Sequence, residues 1–304
     1  MTGFDVVGFG ALNVDKLFKV NRIAATEEES FIRAHSETCG GSAANTIVGL
    51  AKLGCNVGFV GKVANDREGA LLLEDFRREQ VNTAGIIHAK QGESGKIMGF
   101  VDEKGERALY IDSGVNDTIA IDEVKEAYAS QTRFLHLTSF VGDLSFQTQK
   151  RFLQTLPETA KVSFDPGALY ARKGLDQLEP IIRKSHLLIP NAKELNLITG
   201  EADYCRGADS LIGMGVRLVA VKLGANGCYV TDGRERHLIE AFKVETVDTT
   251  GAGDAFCAGF LYGLLNNKSP YDCGRLGNFV ASRCVMKMGA RAGLPRAKDL
   301  ALLS

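Results

Sequence analysis

The sequence predicts an α/β fold with a central, mostly parallel sheet, helices on both faces and a smaller β element beside it. From about residue 130 onward, short apolar strands alternate with helices, a pattern typical of parallel strand–helix–strand units. The strands are near-continuous apolar runs, as burial on both faces requires. Residues 94–111 break the alternation, because they form two strand-like runs around the turn DEKGE with no helix between them.

The first half of the chain supplies the beginning of the sheet. Residues 4–9 (FDVVGF) are β-branched and apolar, which predicts a buried strand. Residues 42–53 carry apolar side chains at helical spacing, and Gly54 follows as the terminator of that helix. A second strand is predicted over 57–63, and Asp66 is placed to cap the helix that comes next.

The second half continues the alternation. The predicted strands are RFLHLTS, KVSFDPG, HLLIPN and VRLVAVKLG, and the helices between them are SFQTQKRFLQTL, LDQLEPIIRK and AKELNLITG. A further strand is predicted at 242–247 (FKVETV), followed by the helix GDAFCAGFLYGLLNN and a last helix over 270–288. Because ligands bind beyond the carboxyl ends of parallel strands, the polar and glycine residues at the strand ends predict one cleft. These residues are Asn13, Asp15, Asp165, Asn191 and Gly224.

The hairpin at 94–111 and the loosely patterned segment 16–39 together predict a small β-sheet lid beside the main body. We therefore expect a large α/β domain and a lid. The large domain is expected to comprise 1–11, 41–89 and 114–304, and the lid 12–40 and 90–113.

Composition excludes several classes of protein. The 304 residues are 45% hydrophobic, enough for a large core. The 36 basic and 37 acidic residues are well mixed, so no charge imbalance points to a nucleic-acid partner. No apolar run approaches the ~20 residues that span a bilayer, and the N-terminus lacks the basic region of a signal peptide. Seven cysteines without a CxxC pair argue against disulfides and structural zinc. They predict small buried thiols in a protein of the reducing cytoplasm.

The strongest local motif is DTTGAGDAF at 248–256. A turn of small residues, Gly251-Ala252-Gly253, opens the apolar helix that follows, so a ligand can approach bare backbone N–H groups. The free N–H groups and the dipole of a helix start favour an anion there. Asp254 lies in the first turn, where an acid is also common as a simple cap.

Two further motifs place polar groups near turns. Cys39-Gly40-Gly41-Ser42-Ala43-Ala44-Asn45 is a diglycine turn that leads into a helix, and an ordinary helix start with Ser42 as N-cap would also explain it. Asn13 and Asp15 follow the first strand, where turn chemistry alone is a sufficient explanation. A P-loop motif is absent, and the dinucleotide pattern is only approached at 8–13, where Asn13 replaces the last glycine.

Together these motifs resemble the signatures of the PfkB carbohydrate kinases, the ribokinase-like family. GGSAAN at 40–45 followed by IVGLAKLG resembles the first signature, and DTTGAGDAF at 248–256 the second. Asn191-Ala192-Lys193-Glu194 resembles the family's N-x-x-E motif, and the segment 222–228 its nucleotide loop. The resemblance extends from about residue 4 to 297, and it implies a ribokinase-like fold.

The resemblance also implies roles for individual residues. Asp254 would be the catalytic base, and Gly251, Ala252 and Gly253 would form the anion hole for the transferred phosphoryl group. The residues implied for the substrate are Asn13, Asp15, Gly40, Gly41, Ser42 and Asn45. Those implied for the nucleotide are Asn191, Lys222, Gly224, Gly227 and Asn278. Glu194 would hold Mg²⁺ through water, and Asp248, Thr250 and Gly289 are implied for K⁺.

Departures from the family pattern bear on the substrate. Ser42 and Ala43 replace the Lys-Gly pair that ribokinases often carry, which argues against a phosphosugar, although Arg107 in the lid could supply a charge. Gly293 stands where a side-chain ligand for K⁺ is expected. We expect an ATP-dependent kinase of a small sugar that dimerises through the lid. A nucleoside kinase is the alternative, and a sugar or nucleotide sensor without catalysis is a third hypothesis.

Overall fold

The computed structural model describes residues 3–303. Its strands are β1 (Phe4–Phe9), β2 (Asn13–Val20), β3 (Ile32–Gly40), β4 (Val57–Ala64), β5 (Ile86–Ala89), β6 (Gly95–Val101), β7 (Arg107–Asp112), β8 (Thr132–Leu137), β9 (Lys161–Phe164), β10 (Ser185–Leu188), β11 (Leu218–Lys222), β12 (Cys228–Thr231) and β13 (Arg236–Ile239). Its α-helices are α1 (Ser42–Lys52), α2 (Arg67–Arg78), α3 (Glu126–Ser130), α4 (Asp143–Thr155), α5 (Gly167–Ala171), α6 (Gly174–Ile182), α7 (Ala192–Thr199), α8 (Tyr204–Gly213), α9 (Ala252–Leu265) and α10 (Pro270–Cys284).

The described chain folds around a nine-stranded sheet in the order β13-β12-β11-β10-β9-β8-β1-β4-β5. Its strands pair in parallel from β11 to β5, and β12 and β13 add an antiparallel edge. The predicted strand–helix alternation is therefore confirmed. Among the described residues, no helix is long and apolar enough to cross a membrane.

Side chains that alternate along each strand build two separate cores. Val6 packs into the core formed with α1, α9 and α10, whereas its neighbour Val7 packs into the core on the opposite face of the sheet. Phe134 and Leu135 on β8 divide in the same way. Both faces of the sheet are therefore covered, which explains why the strands are apolar throughout.

A second sheet of four strands, in the order β3-β2-β6-β7, stands apart from the first. The predicted hairpin is confirmed, since β6 and β7 pair antiparallel. The segment 16–39 contributes β2 and β3, and β2 pairs in parallel with β6. These four strands lie within the segments predicted for the lid, and the boundaries of the two domains stay a prediction.

The chain returns from the small sheet to the large one at a diglycine turn. Gly41 has φ +102, and a Cβ atom at this position would lie 2.2 Å from the carbonyl oxygen of Ala11. Only glycine combines this conformation with so close an approach. The turn places Ser42 and Asn45 in the first turns of α1, directly after the lid strand β3.

The strand predicted over 242–247 is wrong. The last strand of the sheet, β13, ends at Ile239, because the side-chain amide of Asn278 donates to the carbonyls of Ile239 and Glu240 (both 3.0 Å) and draws the chain away from the sheet. The N–H groups of Val247 and Asp248 then donate to the carbonyl of Val285 instead of to a strand. The segment is mostly exposed, with Val247 54% exposed, and its one aromatic side chain, Phe242, packs on Phe279 of α10.

The final helix is also shorter than predicted, since α10 ends at Cys284 and not at 288. The carbonyl of Val285 accepts two N–H groups from the segment before α9, and the N–H of Gly289 donates to Asp248 Oδ2 at 2.8 Å. Residues 285–289 are therefore committed to contacts with the turn that precedes α9.

Asn116 fixes the point where the chain leaves β1 for the lid. Its side chain accepts from the N–H of Leu12 (2.9 Å) and donates to the carbonyl of Leu12 (2.8 Å) and to Asn13 Oδ1 (3.0 Å). We expect Asn116→Ala to lower the free energy of unfolding by about 1–3 kcal/mol, because buried backbone groups lose their partners. Urea titration measures this loss. The exposed variant Asn266→Ala should change stability by less than about 0.5 kcal/mol, and equal losses in the two variants would contradict the assignment.

Candidate active site

Asp254 lies at the start of α9, and its carboxylate joins the two sequence signatures. Oδ1 accepts from Ser42 Oγ at 2.6 Å, and Oδ2 accepts from Asn45 Nδ2 at 2.8 Å. The N-cap of α9 is Gly251, in the left-handed region at φ +77, and no side chain caps the helix. Asp254 is therefore not a helix cap, and Ser42 donates to it instead of capping α1, whose N-cap is Gly41.

The surroundings of Asp254 adjust its basicity. Burial raises its pKa to about 6, and the negative charge of Asp165 adds to the rise. The hydrogen bonds from Ser42 and Asn45 oppose this rise, as does the positive charge of Lys222. A carboxylate with such a pKa is ionised at neutral pH and accepts a proton more readily than an ordinary aspartate.

A cavity of about 320 Å³ opens beside Asp254 at the carboxyl ends of the central strands. It is lined by Ser42, Asp165, Gly167, Asn191, Glu194, Lys222, Gly224, Gly253 and Asp254. The cleft predicted from the strand ends of β9, β10 and β11 is therefore present. Asn13 and Asp15 are not among the lining residues, because they lie at the beginning of the lid strand β2.

Lys222 is the cationic side chain of this cavity. Its Nζ donates to Asp165 Oδ2 at 2.6 Å, and the thiol of Cys257 approaches the same oxygen at 3.3 Å. A Cβ atom on Gly253 would lie 3.4 Å from Lys222 Nζ, so the ammonium group adjoins the start of α9. Burial is the largest single effect and would lower the pKa of Lys222, but the charges of its acidic neighbours and the hydrogen bond to Asp165 together outweigh it, and the pKa is raised. Lys222 is therefore charged at neutral pH.

Glu194 and Asn191 form a reciprocal cap at the start of α7. Asn191 Oδ1 accepts from the N–H of Glu194 (2.9 Å), and Glu194 Oε2 accepts from the N–H of Asn191 (2.8 Å). Burial raises the pKa of Glu194, and the nearby charge of Asp165 raises it further. Two carboxylates therefore face the cavity at short range, an arrangement that favours a bound cation.

The other residues implied for the nucleotide are placed differently. Gly224 lines the cavity, whereas Gly227 packs against the end of β13, where a Cβ atom would lie 2.0 Å from the carbonyl oxygen of Ile239. Asn278 is buried, and its side-chain N–H groups donate to the carbonyls of Ile239 and Glu240 at the end of β13. Gly227 and Asn278 thus shape the loops behind the cavity and do not line it.

The residues implied for the substrate gather where the lid meets α1. Burial raises the pKa of Asp15 to about 6, while the charge of Arg291 lowers it and that of Asp254 raises it. Asp15 Oδ1 is buried without a hydrogen-bond partner among the described residues. A Cβ atom on Gly40 would lie 2.3 Å from Asp15 Oδ2, so glycine leaves the room that this carboxylate occupies. The structure therefore brings Asp15 close enough to Asp254 for their charges to interact, and Asn45 is hydrogen-bonded to Asp254.

The residues implied for K⁺ are also brought together. Asp248 Oδ1 accepts from Thr250 through its N–H (3.0 Å) and its hydroxyl (2.8 Å), and Oδ2 accepts from the N–H of Gly289 (2.8 Å). Arg107 of the lid places Nη2 3.6 Å from Asp248 Oδ1. Burial opposes ionisation, but these hydrogen bonds prevail and lower the pKa of Asp248.

Sequence reasoning gave no role to two residues of this region. Asp165 was visible as a polar residue at a strand end, but its pairing with Lys222 joins residues from separate strands. Arg291 reaches Asn45 from a loop 246 residues away, and no local pattern announces such a contact. The only sequence signal of Arg291 is a charge between two alanines, which many surface residues share.

A buried carboxylate, a lysine and the amino end of a helix surround one cavity, an arrangement suited to a phosphotransferase. Residues 4–297 match the profile of the pfkB family carbohydrate kinases. An uncharacterised sugar kinase from Archaeoglobus fulgidus is 48% identical over 255 residues, 83% of this chain and 100% of that protein. The ATP-dependent ribose-1-phosphate kinase of Halopiger xanaduensis is 33% identical over 258 residues, 84% of this chain and 83% of its own.

Among solved structures, the ribokinase of Thermotoga maritima superposes with a TM-score of 0.88 at 26% identity, covering 99% of each chain. The chain therefore belongs to the pfkB family of carbohydrate kinases and has the ribokinase-like fold. It is a phosphotransferase with a hydroxyl group as acceptor, and kinases of sugars are its relatives.

The raised pKa of Asp254 predicts how activity depends on pH. A carboxylate that serves as the base must be ionised to accept a proton. With Asp254 in that role, kcat/KM should fall as the pH drops through about 6, and not near 3.8, the ordinary value for an aspartate. By linkage, this carboxyl stabilises the fold most below pH 3.8 and loses that contribution as the pH rises through about 6.

A pH profile of kcat/KM tests this expectation. Asp15 also has a pKa of about 6, so the profile is repeated with Asp15→Asn. The acid limb should persist in that variant, because Asp254 remains. An acid limb centred near pH 4 in both proteins would contradict the assignment.

Proposed function

We propose that this kinase transfers the γ-phosphoryl group of ATP to a hydroxyl of a small sugar, with Asp254 as the general base. The observation that carries the proposal is the placement of the Asp254 carboxylate. Ser42 and Asn45 hold both of its oxygens at the rim of the cavity that Lys222 and Gly253 also line. A hydroxyl presented by the substrate would give its proton to this carboxylate as its oxygen attacks the phosphorus atom.

The transferred phosphoryl group would lie against the start of α9. The first N–H groups of a helix have no partners within the helix and attract an anion. Of the three residues of the turn, Ala252 donates its N–H to the carbonyl of Thr249 at 3.2 Å, which leaves Gly251 and Gly253 as the principal donors that we assign. Lys222 beside Gly253 would neutralise charge on the same group.

Glu194 and Asp165 fit a magnesium ion that accompanies the nucleotide. Mg²⁺ is usually held by one or two carboxylates together with waters and substrate phosphates, and these two acids face the cavity. The ion would neutralise phosphate charge. Potassium binding by Asp248, Thr250 and Gly289 stays a prediction, since the carboxylate of Asp248 is already engaged by both partners.

Asn13, Asp15 and Asn45 are the groups that we assign to the sugar hydroxyls. The unpartnered Oδ1 of Asp15 can accept a hydroxyl, and a buried acceptor without its partner costs about 1–3 kcal/mol, which gives the site its selectivity. The related ribose-1-phosphate kinase makes pentoses and their 1-phosphates the first acceptors to test.

A nucleoside is the second candidate acceptor, and one feature of the lid favours it. Leu17 is two residues beyond Asp15 on β2, so both side chains project from the same face of the lid. Leu17 and Leu109 flank Gly99 there, and Leu109 is 60% exposed. Such an apolar surface would suit the nucleobase of a nucleoside. The lid of a second copy of the chain would also cover it. The lid-mediated dimer and the cytoplasmic location stay predictions.

Asp254→Asn separates the base from every other role of this residue. The amide can keep one hydrogen-bond partner, so folding and the affinity for ATP should survive. The variant cannot take up the proton, so kcat should fall by roughly 10²–10⁴-fold. ADP release is measured with Mg·ATP and a panel of ribose, ribose 1-phosphate, other sugars and nucleosides.

Wild type should phosphorylate at least one sugar of the panel, and the variant should bind that sugar and ATP with little loss. The exposed acid Asp176, in the first turn of α6, supplies the control Asp176→Asn, which should leave kcat unchanged. Near-normal turnover in a folded Asp254→Asn protein would remove the base from the mechanism. If only nucleosides of the panel are phosphorylated, the acceptor is a nucleoside and not a sugar.

A further inference from the structure

Arg291 lies in the loop after α10 and has no role in the motifs, yet its guanidinium group contacts three elements. Its side chain is only 12% exposed. Nε donates to Asn45 Oδ1 at 2.7 Å, Nη2 donates to the carbonyl of Gly40 at 3.3 Å, and Nη1 pairs with Asp75. The group therefore links α1, the end of the lid strand β3 and α2.

The first of these contacts decides which way the amide of Asn45 points. An arginine carries only donors, so Asn45 must turn its carbonyl oxygen toward Arg291. Its Nδ2 then faces Asp254 Oδ2, to which it donates at 2.8 Å. A flipped amide would set an oxygen against the carboxylate, and Arg291 disfavours that orientation.

The loop that carries Arg291 is itself fixed to the catalytic turn. The carbonyl of Arg291 accepts from Lys52 Nζ at 3.0 Å, at the end of α1. Ala290 packs so closely on Gly251 that a Cβ atom there would lie 2.5 Å from the Ala290 Cβ. The backbone of this loop therefore contacts both the turn before α9 and the end of α1. These contacts fix the position of the Arg291 backbone, and with it the reach of the guanidinium group to Asn45.

The second contact reaches the lid. Gly40 ends β3 and precedes the turn residue Gly41, so a hydrogen bond to its carbonyl holds the point where the lid joins the large domain. Asp75 supplies the countercharge from α2, and Asp75 is itself buried. The same side chain therefore touches the junction of the lid and the residue that orients Asp254.

We propose that Arg291 is a positioning residue for phosphoryl transfer: it orients Asn45, and through Asn45 the carboxylate of Asp254, while it holds the junction of the lid. The proposal rests on the proposed function of Asp254 as the base. It differs from a plain ion pair between Arg291 and Asp75, which would stabilise the fold without acting through Asn45.

A double-mutant cycle between Arg291 and Asn45 tests the proposal. Arg291→Lys keeps a positive charge opposite Asp75 but loses the planar group that contacts three partners at once. We expect kcat to fall about tenfold, a typical coupling within one hydrogen-bond network, with an unchanged KM for ATP. In an Asn45→Ala background, Arg291→Lys should lower kcat little further, because the amide that Arg291 orients is absent.

Melting temperatures of all variants accompany the cycle, and the exposed Arg296 supplies the matched control Arg296→Lys, for which no change in kcat is expected. If Arg291→Lys does not fold, Arg291→Gln, which retains a side-chain donor, completes the same cycle. Equal loss of kcat in both backgrounds would overturn the proposal and leave Arg291 as part of a structural ion pair. The variant Asp254→Asn separates the role of Asp254 as base from the role of Arg291. If Asp254→Asn is slow but the effects of Arg291→Lys and Asn45→Ala on kcat are additive, only the role of Arg291 is removed. If Asp254→Asn turns over at a near-normal rate, both roles are removed.

Discussion

The hydrogen bonds from Ser42 and Asn45 to Asp254 are the contacts on which the rest of the site depends. They join residues more than 200 positions apart, from the first turns of α1 and α9. Both helices lie on the same face of the large sheet and share one core, so the packing of Ala43, Ile47 and Ala258 determines whether these groups meet. The diglycine turn at Gly40–Gly41 makes the contact possible, since it brings α1 directly after the lid strand.

The charges around the cavity are not balanced, and this constrains what can bind. Asp165, Glu194 and Asp254 line the cavity together with one lysine, Lys222, which is already paired with Asp165. The raised pKa values of Glu194 and Asp254 follow from burial among like charges. A polyphosphate entering this cavity adds more negative charge, so a cation must accompany it. Under the proposed function, the acidic cavity would complement a nucleotide that carries magnesium.

The fold was largely predictable from local patterns, whereas parts of the site were not. Apolar runs and glycine turns predicted the alternation of strands and helices along the chain, and the turn DEKGE predicted the hairpin. The run 242–247 misled because its valines and threonine are typical of a strand, whereas the segment is mostly exposed. Nothing local showed that Asn278 would end β13. The motif around Asp254 was visible in the sequence. The resemblance implied Ser42 and Asn45 for the substrate, and their hydrogen bonds to Asp254 came only with the structure. Arg291 and Asn116 likewise act through contacts across the fold that no spacing rule predicts.

The central claim is that the phosphoryl group is transferred where Lys222 meets the start of α9, and the kcat of Lys222→Gln tests it most directly. Loss of a charge that stabilises the transferred group should lower kcat by roughly 10²–10³-fold, with little change in the KM of the sugar, while Lys222→Arg should recover part of the rate. The exposed Lys184→Gln serves as the control, and melting temperatures show whether Asp165 tolerates the loss of its partner. A folded Lys222→Gln protein with normal kcat would contradict the account.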